Sequence, residues 1–489
     1  MTTRSTRLLA LWLGLILAPI ARADSPSFSI TYDSAVSKTP INARVYVMFA
    51  APAGLREPRT GPDWFNTQPF FAVDAKDWKA GEPLVVDAKT LGYPSSLNKI
   101  QAGEYRVQAV IRLNPDTHSF GGEGNAYSPV ATIKIDPAKP EVTKLVVDKV
   151  APPAKFVESD RVKLVDIPSP LLSAFHKRPI RHKAAVLLPE GDLSKKRATL
   201  YIIPGFGGDH LRAEAMMRSP RMSYAKDLIR VVLSPDCGTG HHVFADSATN
   251  GPRGQALVEE LIPYIEKTYP AIAEPKARLL NGHSSGGWSS LWLQVNYPDF
   301  FGGTWSTSPD PVDFRDFQRI DLYAKNANMF KDEAGNTRPV ARMGTREALF
   351  YEPFSKMEDV IGDGGQLHSF EAVFSPLGPD GKPRKLWDRK TGEVDPEVAK
   401  AWEKYDIRLF LEKGWPVLGP KLKGKLHIYI GDLDTFYLEG AVKLLQGSLE
   451  KLGSDASILI VPGKDHGSVL DRALTERLDQ EIKAAATAP

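Results

Sequence analysis

The sequence predicts an α/β protein in two units: an antiparallel β-sandwich followed by a doubly wound, mostly parallel sheet interrupted by a helical insertion. Three observations predict it. From residue 27 to about 137 apolar residues alternate in short runs separated by Gly, Pro and Asn, the period of strands with one buried face. From Val162 onward continuous apolar runs, such as 198–203 and 231–233, are spaced by helical stretches, the pattern of strands buried on both faces. Third, Gly282-His283-Ser284-Ser285-Gly286 falls where an apolar strand ends and a helix begins.

At the N-terminus, Arg4 and Arg7 precede the apolar run 8–20, and Ala21-Arg22-Ala23 places small residues where a signal peptidase reads. Residues 1–23 are therefore expected to be a cleaved secretory signal; the run is shorter than the ~20 apolar residues a membrane span needs. Cleavage removes three arginines and no acid, taking the formal charge from +3 to 0. A neutral chain gives no electrostatic basis for nucleic acid or an anionic membrane as partner. The single cysteine, Cys237, cannot form an internal disulfide, which suits a bacterial periplasmic or secreted protein stabilised by its core. It is read as a packed thiol.

Residues 24–154 are assigned to the sandwich domain and its linker. The alternating sets are Phe28, Ile30 and Tyr32; Val45, Val47 and Phe49; Tyr105, Val107, Ala109 and Ile111. Trp64, Phe65, Phe70, Phe71 and Trp78 have two readings, as core and loop plugs of the sandwich or as exposed rings that stack on sugars. Val150-Ala151-Pro152-Pro153-Ala154 is the linker, and its prolines predict a fixed angle between the two units.

Residues 155–489 are assigned to the second domain. It opens with a strand pair at 162–167 and 183–189, and the buried run 198–203 ends at Pro204-Gly205-Phe206-Gly207-Gly208. After the strand 231–236 comes a loop with His241 and His242, then an amphipathic helix over 256–269 with Leu257, Leu261, Ile262 and Ile265 inward. The two histidines lack the paired spacing of metal ligands, so no metal is expected and they are candidates for pocket lining. In Gly282-x-Ser284-x-Gly286 the glycines make room for a strained turn that presents Ser284 above the sheet, as a nucleophile elbow does. An insertion of about 310–420 carries expected helices at 345–357 and 397–411 and many aromatics. The core resumes with strand 426–430, ending in Gly431-Asp432-Leu433-Asp434. Helix 437–452, strand 457–461 and the loop Pro462-Gly463-Lys464-Asp465-His466-Gly467 follow.

The run from Gly282-His283-Ser284-Ser285-Gly286-Gly287 through Tyr297-Pro298-Asp299-Phe300-Phe301-Gly302-Gly303 to Ser306-Thr307-Ser308-Pro309 resembles the putative-esterase branch of the α/β-hydrolases, which holds enterochelin esterases, S-formylglutathione hydrolase and the mycolyltransferases. The resemblance covers Val162 to the C-terminus and is weakest over 310–420. It implies an α/β-hydrolase fold, with the insertion as a cap over the catalytic face, and a serine esterase with Ser284 as nucleophile, His466 as base and Asp434 as triad acid, in preference to Asp432. It implies an oxyanion hole from the N–H groups of Phe206 and Ser285, although Pro204 stands where the family has a histidine before the first glycine. Gly205, Gly207, His241, His242 and His283 are the remaining pocket candidates. No cofactor is implied, and the expected substrate is a small-molecule or glycan-linked ester. Two other readings stay open: acyl transfer or peptide cleavage by the same triad, and a catalytically inactive glycan-binding protein. Nothing in the sequence bears on oligomeric state.

Overall fold

A computed structural model describes residues 25–219 and 224–487; the signal expected over 1–23 lies outside them. Two sheets form the first unit. One joins Leu84–Val86, Ser27–Tyr32 and Val142–Val147. The other runs from Lys149–Val150 through Ala126–Tyr127, Gly103–Ile111, Ile41–Ala50 and Phe70–Trp78 to Leu91–Tyr93, with Ala131–Ile135 also on Gly103–Ile111. Their facing side chains share one core, with Phe28, Ile30 and Tyr32 against Val45, Val47, Val107 and Ala109. The antiparallel expectation fails at one pair: Ser27–Tyr32 runs parallel to Val142–Val147. More than a hundred residues separate these strands in sequence, so no hairpin sets their direction.

The second face of the larger sheet is buried as well. Tyr46, Met48, Phe70 and Val110 join a core with Tyr351, Phe354, Met357 and Val360 from the later insertion. Arg44 donates to the carbonyls of Val360 (3.2 Å) and Asp359 (2.8 Å), and the Tyr46 hydroxyl donates to that of Ile361 (2.5 Å). At roughly 2 kcal/mol per large apolar side chain removed from water, this face adds to what holds the two sets of strands and helices together.

The second unit is an eight-stranded sheet of β1 (Val162–Pro168), β2 (Arg181–Leu187), β3 (Thr199–Ile203), β4 (Ile229–Leu233), β5 (Arg278–His283), β6 (Gly303–Thr307), β7 (Leu426–Gly431) and β8 (Ser457–Val461). Its spatial order is β1-β2-β4-β3-β5-β6-β7-β8. β2 pairs antiparallel with β1 and β4, and every later pairing is parallel. Successive residues of β3 go to opposite faces, as the pleat requires. Leu200 and Ile202 pack with Leu474, Leu478 and Ile482 of the C-terminal helix. Tyr201 and Ile203 pack with Leu257, Leu261 and Ile265 on the other face. Burial on both faces explains the continuous apolar runs.

Between β6 and β7 the insertion folds into a hairpin, Pro339–Met343 with Arg346–Phe350, and four helices. The first two are Tyr351–Ile361 and Gln366–Phe374; the others are Pro396–Trp402 and Ile407–Leu422. The helix expected from residue 345 begins at Tyr351, because 346–350 pair as a strand. The helix expected over 397–411 is two, divided at Asp406, whose carboxylate caps the second by accepting from the N–H of Leu409 at 2.9 Å. Tyr351, Phe374 and Trp387 are buried in the core that the insertion shares with the first unit's sheet and with Trp288 and Leu291.

Candidate active site

The elbow comes first. β5 ends at His283 and helix α1 (Ser285–Asn296) starts two residues later, leaving Ser284 at φ 60°, ψ −127°. A non-glycine residue there is strained, by ~1–3 kcal/mol, and persists because its surroundings fix it. Ser284 N–H donates to Thr307 O of β6 (3.0 Å), and Ser284 O accepts from the N–H of Trp288 (3.1 Å). The two glycines are required by close approach: a Cβ on Gly282 would lie 1.9 Å from Gly286 O, and one on Gly286 would lie 1.9 Å from Ile203 O. Any side chain at either position would force the turn open.

His466 enters from the loop after β8. Its Nδ1 is 2.8 Å from Asp434 Oδ2, and Asp434 is fully buried. Asp434 Oδ1 accepts from the N–H of Phe436 at 2.9 Å. Asp432 does something else: its Oδ1 accepts from the N–H of Gly463 (2.7 Å) and holds the β7 and β8 loops together. Arg342, on the insertion hairpin, donates to the carbonyls of both Asp434 (2.9 Å) and Asp432 (3.3 Å). So the insertion braces the acid's loop.

Burial alone would raise the Asp434 carboxyl, but the His466 cation and hydrogen bonds from His466 and Phe436 hold it below the usual carboxylate range. Burial would lower the His466 imidazole; Asp434, with Asp310 and Asp465, more than offsets that and holds it above the usual value. The neighbouring His283 ring, 4.6 Å away, is pushed down to about 3 by burial and by His466, so it stays neutral.

Ser284 and His466 line one cavity of about 290 Å³ with Gly205, Phe206 and His283. A Cβ on Gly205 would come within 3.0 Å of Ser284 Cβ, so the glycine loop after β3 lies against the serine. Gly207 and His242 line a larger cavity, about 750 Å³, on the other side of Phe206. His241 lines neither of these two cavities. It is buried with Nε2 2.9 Å from Pro204 O, while its Nδ1 accepts from the N–H of Val243 at 3.0 Å. These partners fix the neutral tautomer with hydrogen on Nε2, and burial lowers the ring to about 4.

His241 thus tethers the loop that Pro204 cannot tether with a side chain of its own. His241→Ala is expected to lower kcat about tenfold with a smaller change in KM, because the loop it holds lies against Ser284 and its displacement disturbs the reacting geometry more than binding. His241→Gln, which keeps a donor, should recover part of the loss. Steady-state kinetics on p-nitrophenyl butyrate checks both.

Asp310 was not anticipated. It follows Ser308-Pro309 beyond β6, its N–H donates to Ser284 O (3.3 Å), and it lines the cavity that holds Ser284 and His466. Burial raises its carboxyl to about 6 against the opposing pull of Ser285, His466 and Gln366. A folded-state value raised from 3.8 to about 6 means a stability contribution complete below pH 3.8 and lost as pH rises through 6. Asp310→Asn should therefore raise unfolding free energy at pH 8 by roughly 3 kcal/mol and leave it unchanged at pH 3.5. Urea denaturation at the two pH values measures this. The only sequence signal was its position just past a strand's C-terminal end.

Among the described residues no group of three or more His, Cys, Asp and Glu is arranged to hold a metal ion. Cys237 is buried and its thiol is pushed up by burial. No helix among the described residues is long and apolar enough to cross a membrane.

Residues 179–476 match the family described as Putative esterase. Among curated proteins the chain finds no match. Similar solved structures include the fluorophosphonate-binding serine hydrolase FphF of Staphylococcus aureus, at 15% identity over 66% of this chain and 98% of that one, TM-score 0.40. Another is an S-formylglutathione hydrolase from Agrobacterium tumefaciens, at 14% identity over 68% and 98%, TM-score 0.41. A third is a ferulic acid esterase from Anaeromyces mucronatus, at 14% identity over 68% and 93%, TM-score 0.32. Family membership rests on the match over 179–476.

Proposed function

We propose, from the premise that the chain belongs to the putative-esterase family and is a carboxylic-ester hydrolase, that it works through Ser284, His466 and Asp434 and an acyl-enzyme intermediate. The observation that carries this reading is the 2.8 Å contact of His466 Nδ1 with Asp434 Oδ2, on an imidazole that shares a cavity wall with Ser284. With Nδ1 committed to the carboxylate, Nε2 is the nitrogen free to act as base. It takes the proton of Ser284 Oγ as the oxygen adds to the ester carbonyl. The oxyanion is held by the N–H groups of Phe206 and Ser285, the latter in the first turn of α1 where no intrahelical acceptor exists. His466 then delivers the proton to the departing alkoxide, and water repeats the cycle on the acyl-serine.

In this reading residues 24–154 are a β-sandwich domain, 155–489 the α/β-hydrolase domain, and about 310–420 a helical cap. Phe354, Gln366 and Phe370 of the insertion on the cavity wall support the cap. Residues 1–23 are proposed to direct export to the periplasm or beyond. The substrate is a small-molecule or glycan-linked ester.

Purified protein mixed rapidly with p-nitrophenyl butyrate should release a stoichiometric burst of nitrophenol before steady turnover, the mark of an accumulating acyl-enzyme when deacylation is slow. Added alcohol acceptors divide hydrolysis from transfer by their products. Absence of turnover, burst and fluorophosphonate labelling together would overturn the assignment.

A further inference from the structure

Trp64 belongs to the first unit, yet it stands at the catalytic cavity. Its loop is wound around Asp63, whose Oδ1 accepts from the N–H groups of Phe65 (2.9 Å) and Asn66 (3.0 Å), and Thr67 Oγ1 donates to Asp63 O at 2.6 Å. The same hydroxyl lies 3.7 Å from Met357 Sδ of the insertion. So held, the indole meets three rings from three other parts of the chain. Phe206 is 5.7 Å away and tilted by 33°, Phe354 is edge-on at 5.1 Å, and Phe436 is edge-on at 6.2 Å. Phe436 in turn sets its ring edge-on to His466 at 5.0 Å. One ring therefore separates Trp64 from the histidine proposed as base.

Trp64 and Phe206 line both cavities and form the wall between them. The two spaces differ in chemistry. Around Ser284 the wall carries Val340, Leu349, Leu367 and Phe370, with Arg212, Asp310, Gln318 and Gln366 as its polar members. The larger cavity lies between the two units and is lined by charged and polar groups, among them Asp116, Arg181, Lys183 and Asp209. There His210 is buried, 7% exposed, and its Nδ1 has no hydrogen-bond partner among the described residues.

An ester has two halves with different fates. The acyl half stays on the serine through the second step and must be sheltered; the alcohol leaves after the first and needs a route to water. We propose that Trp64 is a specificity-determining residue that divides the substrate: an apolar acyl group of medium size occupies the chamber over Ser284, and a hydrophilic, polyhydroxylated alcohol occupies the cleft between the units. A chamber of about 290 Å³ has the room of roughly ten water-sized groups, too much for acetyl to fill and too little for a long lipid chain. The inference rests on the serine-esterase reading and extends it to both halves of the substrate.

The test compares wild type, Trp64→Ala and Trp64→Phe on p-nitrophenyl acetate, butyrate, octanoate and laurate, and on methyl 6-O-butyryl glucoside against p-nitrophenyl butyrate. Wild type should prefer butyrate or octanoate. W64A should lose about tenfold in kcat/KM on those two, mainly through KM, and gain on laurate as the wall opens. The ratio of glucoside to phenyl ester should fall by about fivefold in W64A. W64F, with its smaller ring, should show the same change of profile reduced to about threefold. An acyl profile in W64A unchanged within twofold, or lowered equally at every chain length, overturns the proposal; should W64A not fold, a W64F profile identical to wild type does the same. Fluorophosphonate labelling of wild type separates the two levels. Labelling with an unmoved profile defeats this inference alone, and absence of labelling, burst and turnover together defeats the serine-esterase reading beneath it.

Discussion

Ser284→Ala is expected to lower kcat on p-nitrophenyl butyrate by about 10⁵- to 10⁶-fold and to abolish covalent labelling by a fluorophosphonate. Losing the nucleophile of a serine, histidine and aspartate set costs on this scale because the acyl-enzyme route closes and only binding and oxyanion stabilisation remain. The fold should survive. Ser284 holds its place through backbone bonds, to Thr307 O and from Trp288 N–H, and alanine keeps both. Circular dichroism and thermal unfolding matching wild type, with activity gone, is the expected pair of results. Retained labelling would remove Ser284 from the mechanism.

The second large effect is expected at Asp434. Asp434→Asn keeps the shape but offers His466 Nδ1 no charge, so the imidazole loses both its orientation and the stabilisation of its cation; a fall in kcat of about 10⁴-fold follows. The pH profile carries the sign. His466 must be neutral to act as base, so kcat/KM rises with pH through its titration. Its value is held above 6.5 by Asp434, which puts the wild-type midpoint above 6.5, and the asparagine variant should show a lower midpoint. The same pair ties stability to pH. The raised imidazole contributes stability that is complete below 6.5 and lost as pH rises through its folded value. The depressed carboxyl contributes stability present above 3.8 and lost as pH falls through its own. Stabilisation by the pair is therefore greatest between about pH 4 and 6.5.

What the sequence disclosed is what local rules govern. The elbow was legible because its Gly-x-Ser-x-Gly pattern is local, although only Gly282 has its steric cause nearby, at Gly286 O, while Gly286 is required by Ile203 O of β3; the strands of the second sheet were legible because burial on both faces writes itself as unbroken apolar runs. Asp434 was preferred to Asp432 through family resemblance; the 2.8 Å contact with His466 and the separate bond of Asp432 to Gly463 give that preference a physical reason. Contacts between distant segments stayed hidden. Trp64 was one of five aromatics with two readings; Phe70, Phe71 and Trp78 are core, Phe65 is exposed, and only Trp64 reaches the cavity. No periodicity could separate it from the others, because its partners lie 142 residues and more away, at 206, 354 and 436. His241 is similar: its spacing suggested a pocket residue, and its role depends on where the Pro204 carbonyl points after folding.

That Ser284, His466 and Asp434 act as one unit is measured by a double-mutant cycle on kcat. Groups that share one proton-transfer step cannot be lost twice. Ser284→Ala combined with His466→Ala is expected to be no slower, within a few fold, than Ser284→Ala alone. Losses that multiply, each mutation exacting its full cost in the presence of the other, would contradict it.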